Sequence, residues 1–173
     1  MKKNLLAVSA LALAVMSGSA MAANEVQFLG VVTDTTCDLT PSVNGSVNGL
    51  VQLGSVTKTA TGTPVDFALK ADPTAPGCGT ADLQGKVATI GWNGPFNTDG
   101  LKPQSGTATD AVALIASKNA QTTAIQPITQ SHLSAGFDAS ILTTDGAQFT
   151  AALKGGAVAG DYQSAAAYVV GYN

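Results

Sequence analysis

The side chains able to do acid–base or metal chemistry in this sequence are few and far apart. The single histidine, His132, lies in TQSHLSAG, with no HExxH motif and no second histidine for a zinc site. Asp34 and Asp38 flank Cys37, and Asp72 stands alone, so neither arrangement matches a calcium-binding loop. The sequence gives no sign of a carboxylate pair of the kind that glycosidases use. The residues therefore predict no enzyme, no metal site and no cofactor.

The first 22 residues indicate the compartment. In MKKNLLAVSALALAVMSGSAMA, two lysines precede a short apolar run, and the segment ends in the small-x-small pattern Ala20-Met21-Ala22. This organisation is typical of a secretory signal peptide cleaved after Ala22. The apolar run has about 12 residues, well below the roughly 20 that a membrane-spanning helix needs. We therefore expect residues 1–22 to be removed and the remainder to be exported as one domain.

Cys37 and Cys78 are the only cysteines in the chain, and both belong to the part expected to be exported. An oxidising compartment and an even cysteine count favour a disulfide between them. The loop that it closes has about 40 residues, for which the chain-entropy estimate is on the order of 4 kcal/mol of stabilisation. The spacing excludes a CxxC redox motif.

The charge of the exported part argues against nucleic acid as a partner. It contains six lysines, no arginine and eleven acidic residues, which gives a formal net charge of −5. The lysines are dispersed at wide intervals, whereas neutralising a phosphate backbone requires clustered basic side chains.

Short strand-like runs separated by Asn-Gly and Asp-Gly turns dominate the exported part. A period of two is clearest where Val65, Phe67 and Leu69 alternate with polar or small residues. The run at 111–117 also tolerates a short helix, and 140–148 could hold a further strand. About seven strands in one domain predict a two-sheet β-sandwich. The runs are residues 26–32, 49–56, 64–70, 86–92, 111–117, 148–154 and 166–172.

Both ends of the exported chain are apolar strands, and a sandwich has to cover its inner face along both sheet edges. The first strand, which precedes the first cysteine, can either pack on its own domain or leave it. In each strand the residues at alternate positions form one face: Val26, Phe28, Gly30 and Val32 in the first, and Ala166, Tyr168, Val170 and Tyr172 in the last.

These features together resemble the major fimbrial subunits of the chaperone-usher pathway, the type 1 pilin-like family of Gram-negative bacteria. The resemblance rests first on F-x-G-x-V at residues 28–32 and on Cys37 with Cys78 about 40 residues further on. It rests also on the alternating last strand with the penultimate Tyr172, and on Gly160, the fourteenth residue from the end.

The resemblance implies an incomplete immunoglobulin-like β-sandwich that lacks its last strand and is completed by a donor strand from another subunit. Residues 1–22 would then be the signal peptide, 23–34 the N-terminal donor-strand extension, and 35–173 the pilin domain. The donor strand would present Val26, Phe28, Gly30 and Val32, with Gly30 allowing close approach. The acceptor groove and chaperone-facing strand would include Gly160, Ala166, Tyr168, Val170 and Tyr172.

The resemblance also implies the partners and the destination of the chain. Copies would polymerise head to tail into a surface fibre used for adhesion. A periplasmic chaperone and an outer-membrane usher would assist, and a separate tip adhesin is a further partner that the family allows. Two alternatives stay open at this point: a secreted single-domain carbohydrate-binding or adhesive module acting through Trp92 and residues 93–100, and a small secreted enzyme that uses His132.

Overall fold

The computed structural model describes residues 37–173, so the expected signal peptide and the whole of the expected donor strand lie outside the described residues. The described part consists of short strands with one helical turn, α1 (Thr80–Leu83), and one short 3-10 helix at Ala139–Ile141. The strands are β1 (Leu39–Val43), β2 (Ser46–Val47), β3 (Val65–Ala71), β4 (Val87–Asn93), β5 (Val112–Ser117), β6 (Pro127–Ile128), β7 (Ser134–Asp138), β8 (Ala147–Lys154) and β9 (Ala167–Tyr172).

The strands form two sheets in which every pairing is antiparallel. The larger sheet has the order β2-β1-β3-β8-β5-β6, and the smaller one has the order β7-β4-β9. Each sheet contributes alternate side chains to a single buried cluster, as in β4, where Ala88, Ile90 and Trp92 are buried and their neighbours are partly exposed. The predicted immunoglobulin-like β-sandwich with a missing strand is thereby confirmed.

A cluster of aromatic rings joins the two sheets at the centre of the core. Phe67 of β3 and Phe149 of β8 stack with their centroids 5.4 Å apart. From the smaller sheet, Trp92 and Phe137 both approach Phe149 at 5.3 Å, the Trp92 ring edge-on. Edge-to-face and offset contacts of this kind stabilise aromatic pairs beyond the burial of their area.

The disulfide between Cys37 and Cys78 is present, and both residues are buried. It joins the residues just before β1 to the turn before α1, and thus fixes the start of the described domain. The prediction from the cysteine count is confirmed.

Several predicted strands agree closely with the structure. Runs 64–70, 86–92 and 148–154 correspond to β3, β4 and β8 with ends shifted by one residue. The run 111–117 forms the strand β5, so its alternative interpretation as a helix is wrong.

Two other predicted strands do not form. Residues 49–56 belong to no strand, and 140–148 contains the end of the 3-10 helix and a turn before β8 begins. In the second case the carboxylate of Asp138 accepts hydrogen bonds from the amide and hydroxyl of Ser140, at 2.9 and 2.7 Å. This local capping favours a turn over a strand.

Candidate functional site

The last strand, β9, lies at an edge of the smaller sheet and, among the described strands, pairs only with β4. Reciprocal 3.0 Å hydrogen bonds join the amides and carbonyls of Asn173 and Val87. From this pair, residues of β9 alternate between pointing their backbone groups toward β4 and pointing them away from it. Ala167 and Val169 therefore direct their backbone groups toward β4, while Tyr168 and Val170 direct theirs outward. Within the part of the chain that the structure describes, no hydrogen bond satisfies these outward groups.

A second stretch of unpaired backbone lies in residues 51–56. It is held at its ends, where the amide of Asn48 donates to the carbonyl of Pro41 at 3.0 Å and the amide of Thr59 donates to that of Gly156 at 3.1 Å. Between these points, no backbone hydrogen bond joins residues 51–56 to the rest of the described chain. The stretch is nevertheless fixed from inside, because Val51 and Leu53 pack against the core.

A groove of about 1310 Å³ is lined by residues 51–56 and, from β9, by Tyr168. Lys58 and Asp161 are the only charged residues among its lining residues in the described part. Its volume exceeds the roughly 300–1,000 Å³ of ordinary small-molecule pockets. The floor of the groove is formed by Leu153 and by buried side chains of the core cluster: Phe67, Leu69, Trp92, Leu101, Ala113, Ile115 and Ala151.

Two tyrosines of β9 tie this strand to the beginning of the domain. The hydroxyl of Tyr168 donates to the carbonyl of Leu39 at 2.7 Å, and the hydroxyl of Tyr172 donates to that of Cys37 at 2.6 Å. Burial, with a smaller contribution from the charge of Asp38, raises the pKa of Tyr172 to about 12, and the pKa of Tyr168 is raised for the same reasons. Both hydroxyls therefore stay neutral donors at physiological pH. They attach β9 to the backbone of Cys37 and Leu39 at the start of the described domain.

The segment before β9 is clamped against residues 107–110. The carboxylate of Asp110 accepts hydrogen bonds from the amides of Ala157 and Val158 at 2.7 and 3.1 Å, and these bonds lower its pKa. A Cβ placed on Gly160 would collide with the side chain of Thr107 and lie 2.9 Å from the amide nitrogen of Ala108, so the two segments approach closely at this glycine. This clamp fixes one rim of the groove, and Asp110 is a residue that the sequence pattern did not mark.

Comparison with known proteins places the chain in a family. No protein-family model matches the sequence. The F107 fimbrial protein of Escherichia coli is 43% identical over 171 residues, which cover 98% of this chain and 99% of that relative. The chain belongs to the fimbrial protein family. The K99 fimbrial protein of Escherichia coli is 36% identical over 104 residues, covering 58% of this fimbrial chain and 54% of the relative. The resemblance drawn from the sequence is confirmed.

Two solved structures are also similar to this fimbrial protein. The P pilus rod subunit PapA is 15% identical, with a TM-score of 0.49 over 87% of this chain and 99% of that one. A subunit in the structure of a chaperone-usher pilus is 17% identical, with a TM-score of 0.44 over 90% of this chain and 99% of that one.

Of the predicted acceptor residues, Gly160, Ala166 and Tyr168 line the groove, whereas Val170 and Tyr172 do not. Ala166, Tyr168 and Val170 pack against the core on one face of the last strand, and Tyr172 is buried on the same face. The predicted donor residues, Val26, Phe28, Gly30 and Val32, lie outside the described residues.

The two alternative functions depend on Trp92 and His132, and neither residue lies in a suitable binding or catalytic arrangement. Trp92 is only 8% exposed and packs against Phe67, Phe149 and Tyr168, so it offers no free face for stacking on a sugar. His132 is exposed, and its Nδ1 lies 3.1 Å from the hydroxyl of Ser131. No carboxylate of the described chain forms an ion pair with it. No cluster of three metal-binding side chains and no helix able to cross a membrane occurs among residues 37–173.

Proposed function

We propose that this fimbrial protein is a structural subunit whose groove is filled by the N-terminal segment of a neighbouring copy. The observation that carries the proposal is the pair of unpaired backbone stretches, one in β9 and one in residues 51–56, on the rims of an apolar groove. An extended segment lying between them would hydrogen-bond on both sides and complete the sandwich. Strand addition of this kind is an established mode of recognition, and donor-strand complementation of pilins is one of its known cases.

The chemistry of residues 23–34 suits this role. Val26, Phe28 and Val32 alternate with other residues, so an extended backbone would direct all three toward the groove floor. Burying each such side chain contributes roughly 1.5–3 kcal/mol. Pairing both open rims would also satisfy backbone groups that are otherwise left to solvent. The joint gains both contributions at once, which favours a long-lived contact.

Assembly by this joint is open and directional. Each copy donates one segment and accepts one, so the contact is heterologous and extends into a filament unless a rotation happens to close it. In the proposed route a periplasmic chaperone strand occupies the groove before assembly, and an outer-membrane usher receives the subunit. The fibre stands on the cell surface, where a separate tip adhesin completes its adhesive role. The subunit itself acts as a building block and not as an enzyme.

Thermal unfolding tests the proposal. Exported chain lacking residues 23–34 is refolded with and without a synthetic peptide of those residues. We expect the peptide to raise the unfolding temperature markedly, because it binds only the folded state. The matched control is the same peptide with Val26, Phe28 and Val32 replaced by serine, which keeps the backbone and removes the apolar face. Equal unfolding temperatures with all three samples would contradict donor-strand filling.

A further inference from the structure

The rim of the groove on the side of β9 continues beyond the first residue of that strand. Tyr168 is the only described residue of β9 that lines the groove, whereas every residue of 161–166 lines it. Exposure alternates along 161–168, where the odd-numbered residues are exposed and the even-numbered ones are half-buried. A period of two is the mark of an extended chain. Residues 161–166, called the extension below, therefore prolong β9 along the groove.

A loop of residues 102–108 lies beside the extension in the place of a neighbouring strand. The carbonyl of Asp161 accepts a hydrogen bond from the amide of Ala108 at 3.1 Å. Gln163 exchanges two bonds with Ser105, whose amide donates at 3.1 Å and whose carbonyl accepts at 3.2 Å. The loop thus bonds odd-numbered residues, which have the same parity as the residues of β9 that face β4.

Gln104 completes this pairing with its side chain. The amide of Ala165 donates to Oε1 of Gln104 at 2.7 Å, so a side-chain carbonyl replaces the main-chain carbonyl that a strand would offer. Because backbone groups alternate along an extended chain, Tyr162, Ser164 and Ala166 direct theirs away from the loop. No backbone hydrogen bond joins these three residues to the rest of the described chain.

We propose that Gln104 is a positioning residue of the acceptor edge. Its carboxamide holds the extension straight, so that Tyr162, Ser164 and Ala166 pair with the donor strand of a neighbouring copy. This inference rests on the proposed function. β9 has only six residues, about half the length of the expected donor segment 23–34, so pairing along the whole donor requires the extension.

The direction of pairing decides which part of the donor meets the extension. Every strand pair of the described sheets is antiparallel, and antiparallel pairs are the more stable kind. A donor antiparallel to β9 sets Val32 beside the extension and Val26 toward the far end of β9. Residues opposite each other share a face, so a donor residue with an inward side chain directs its N–H at the acceptor edge. Without Gln104, the extension would have to be ordered during pairing, at a cost in free energy.

Hydrogen exchange at single amides tests the longer edge. The full exported chain is measured by nuclear magnetic resonance while dilute and monomeric, and again after saturation with the peptide of residues 23–34. We expect the amides of Tyr162, Ser164 and Ala166 to exchange about tenfold more slowly or slower still after filling, because each gains a partner. New protection confined to the amides of β9 overturns this inference alone. Absence of any peptide binding overturns the proposed function as well.

Gln104→Leu tests the positioning role, because it removes the acceptor and keeps the approximate size of the side chain. We expect this variant of the full exported chain to bind the peptide about twofold to about tenfold more weakly, the range of one hydrogen bond. Ser105→Ala is the matched control, since the hydroxyl of Ser105 donates to the side chain of Gln163 and not to its backbone. Equal affinities of the Gln104→Leu chain and the natural chain would overturn the proposal.

A modified peptide separates positioning from general destabilisation. Replacing the amide of Val32 by an ester removes the N–H that would meet the extension. The ester should weaken binding to the natural chain, and it should weaken binding to the Gln104→Leu chain less, because there the facing edge is no longer held. The same ester at Val26 should cost both chains the same factor. Equal losses from the Val32 ester in the two chains would show that Gln104 acts on stability alone and would overturn the positioning role.

Discussion

At the scale of single residues, Gly160 is a position where the structure leaves little room for a side chain. A Cβ there would collide with Oγ1 of Thr107 and lie 2.9 Å from the amide nitrogen of Ala108. We expect Gly160→Ala to lower the free energy of unfolding by roughly 1–3 kcal/mol, as overpacking usually does. Chemical denaturation of the peptide-filled chain measures it. Gly49→Ala is the control, since its Cβ would meet only Pro41 at 3.9 Å; equal losses in both variants would contradict the argument.

Tyr172 gives a prediction about alkaline pH. Its pKa is about 12 in the folded chain against an ordinary value near 10, so the unfolded state loses its proton first as pH rises. The stabilisation from this residue is therefore complete below about pH 10 and is lost progressively between about pH 10 and pH 12. We expect Tyr172→Phe to unfold more easily at neutral pH, because the carbonyl of Cys37 loses its donor, yet to show a weaker dependence on pH in that window. If the natural chain and Tyr172→Phe had the same slope of unfolding free energy against pH between about pH 10 and pH 12, Tyr172 would not titrate in this way.

At the scale of elements, the two edges of β9 have different partners. The amide of Val170 faces the edge of β9 that pairs with no described strand, whereas that of Val169 faces β4. Proline removes an amide hydrogen and is tolerated where that hydrogen would point away from the sheet. We expect Val170→Pro to abolish peptide binding while retaining the folded domain, and Val169→Pro to unfold it. Circular dichroism and peptide titration separate the two effects; tight peptide binding by the Val170→Pro chain would contradict the assigned edge.

Elements with a buried face were predictable from the sequence, and those that depend on distant or missing partners were not. The alternation in 64–70 and 148–154 predicted β3 and β8, since one face of each meets the core. Residues 49–56 were also predicted as a strand, and Val51 and Leu53 do pack against the core. Alternation reports which face is buried, but a strand also needs a neighbour for its backbone, and in the described chain this stretch has none. Pairing by β1 was missed because its run contains Pro41, which weakens a strand pattern.

The site was predictable to a similar extent. The face formed by Ala166, Tyr168 and Val170 followed from period two, and the structure places it on the core. Asp110 gave no signal, and Trp92 was marked only for carbohydrate binding, because their contacts come from amides and rings brought close only by the fold. The sequence therefore marked the faces of strands, whereas the clamp and the ring contacts became visible only in three dimensions.

At the scale of the whole molecule, the proposed joint takes its donor segment and its groove from the same kind of chain, so variants can remove one and keep the other. A copy without residues 23–34 keeps the groove but has nothing to donate. A Val170→Pro copy keeps its donor segment but cannot pair at the open edge. Either variant added to natural chain should stop growth at one end, so the mean fibre length should fall as its fraction rises.

The two variants mixed only with each other give a stricter prediction. The groove of the first can accept the segment of the second, and no further group is left to extend the complex. We expect a one-to-one heterodimer and no fibres, measured by light scattering after size exclusion and by electron microscopy. Neither variant alone should associate. Homodimers of either variant would indicate a contact in which two like surfaces meet, and fibres in the mixture would indicate a contact that needs neither residues 23–34 nor the open edge of β9. Either result would contradict the proposed directional joint between copies.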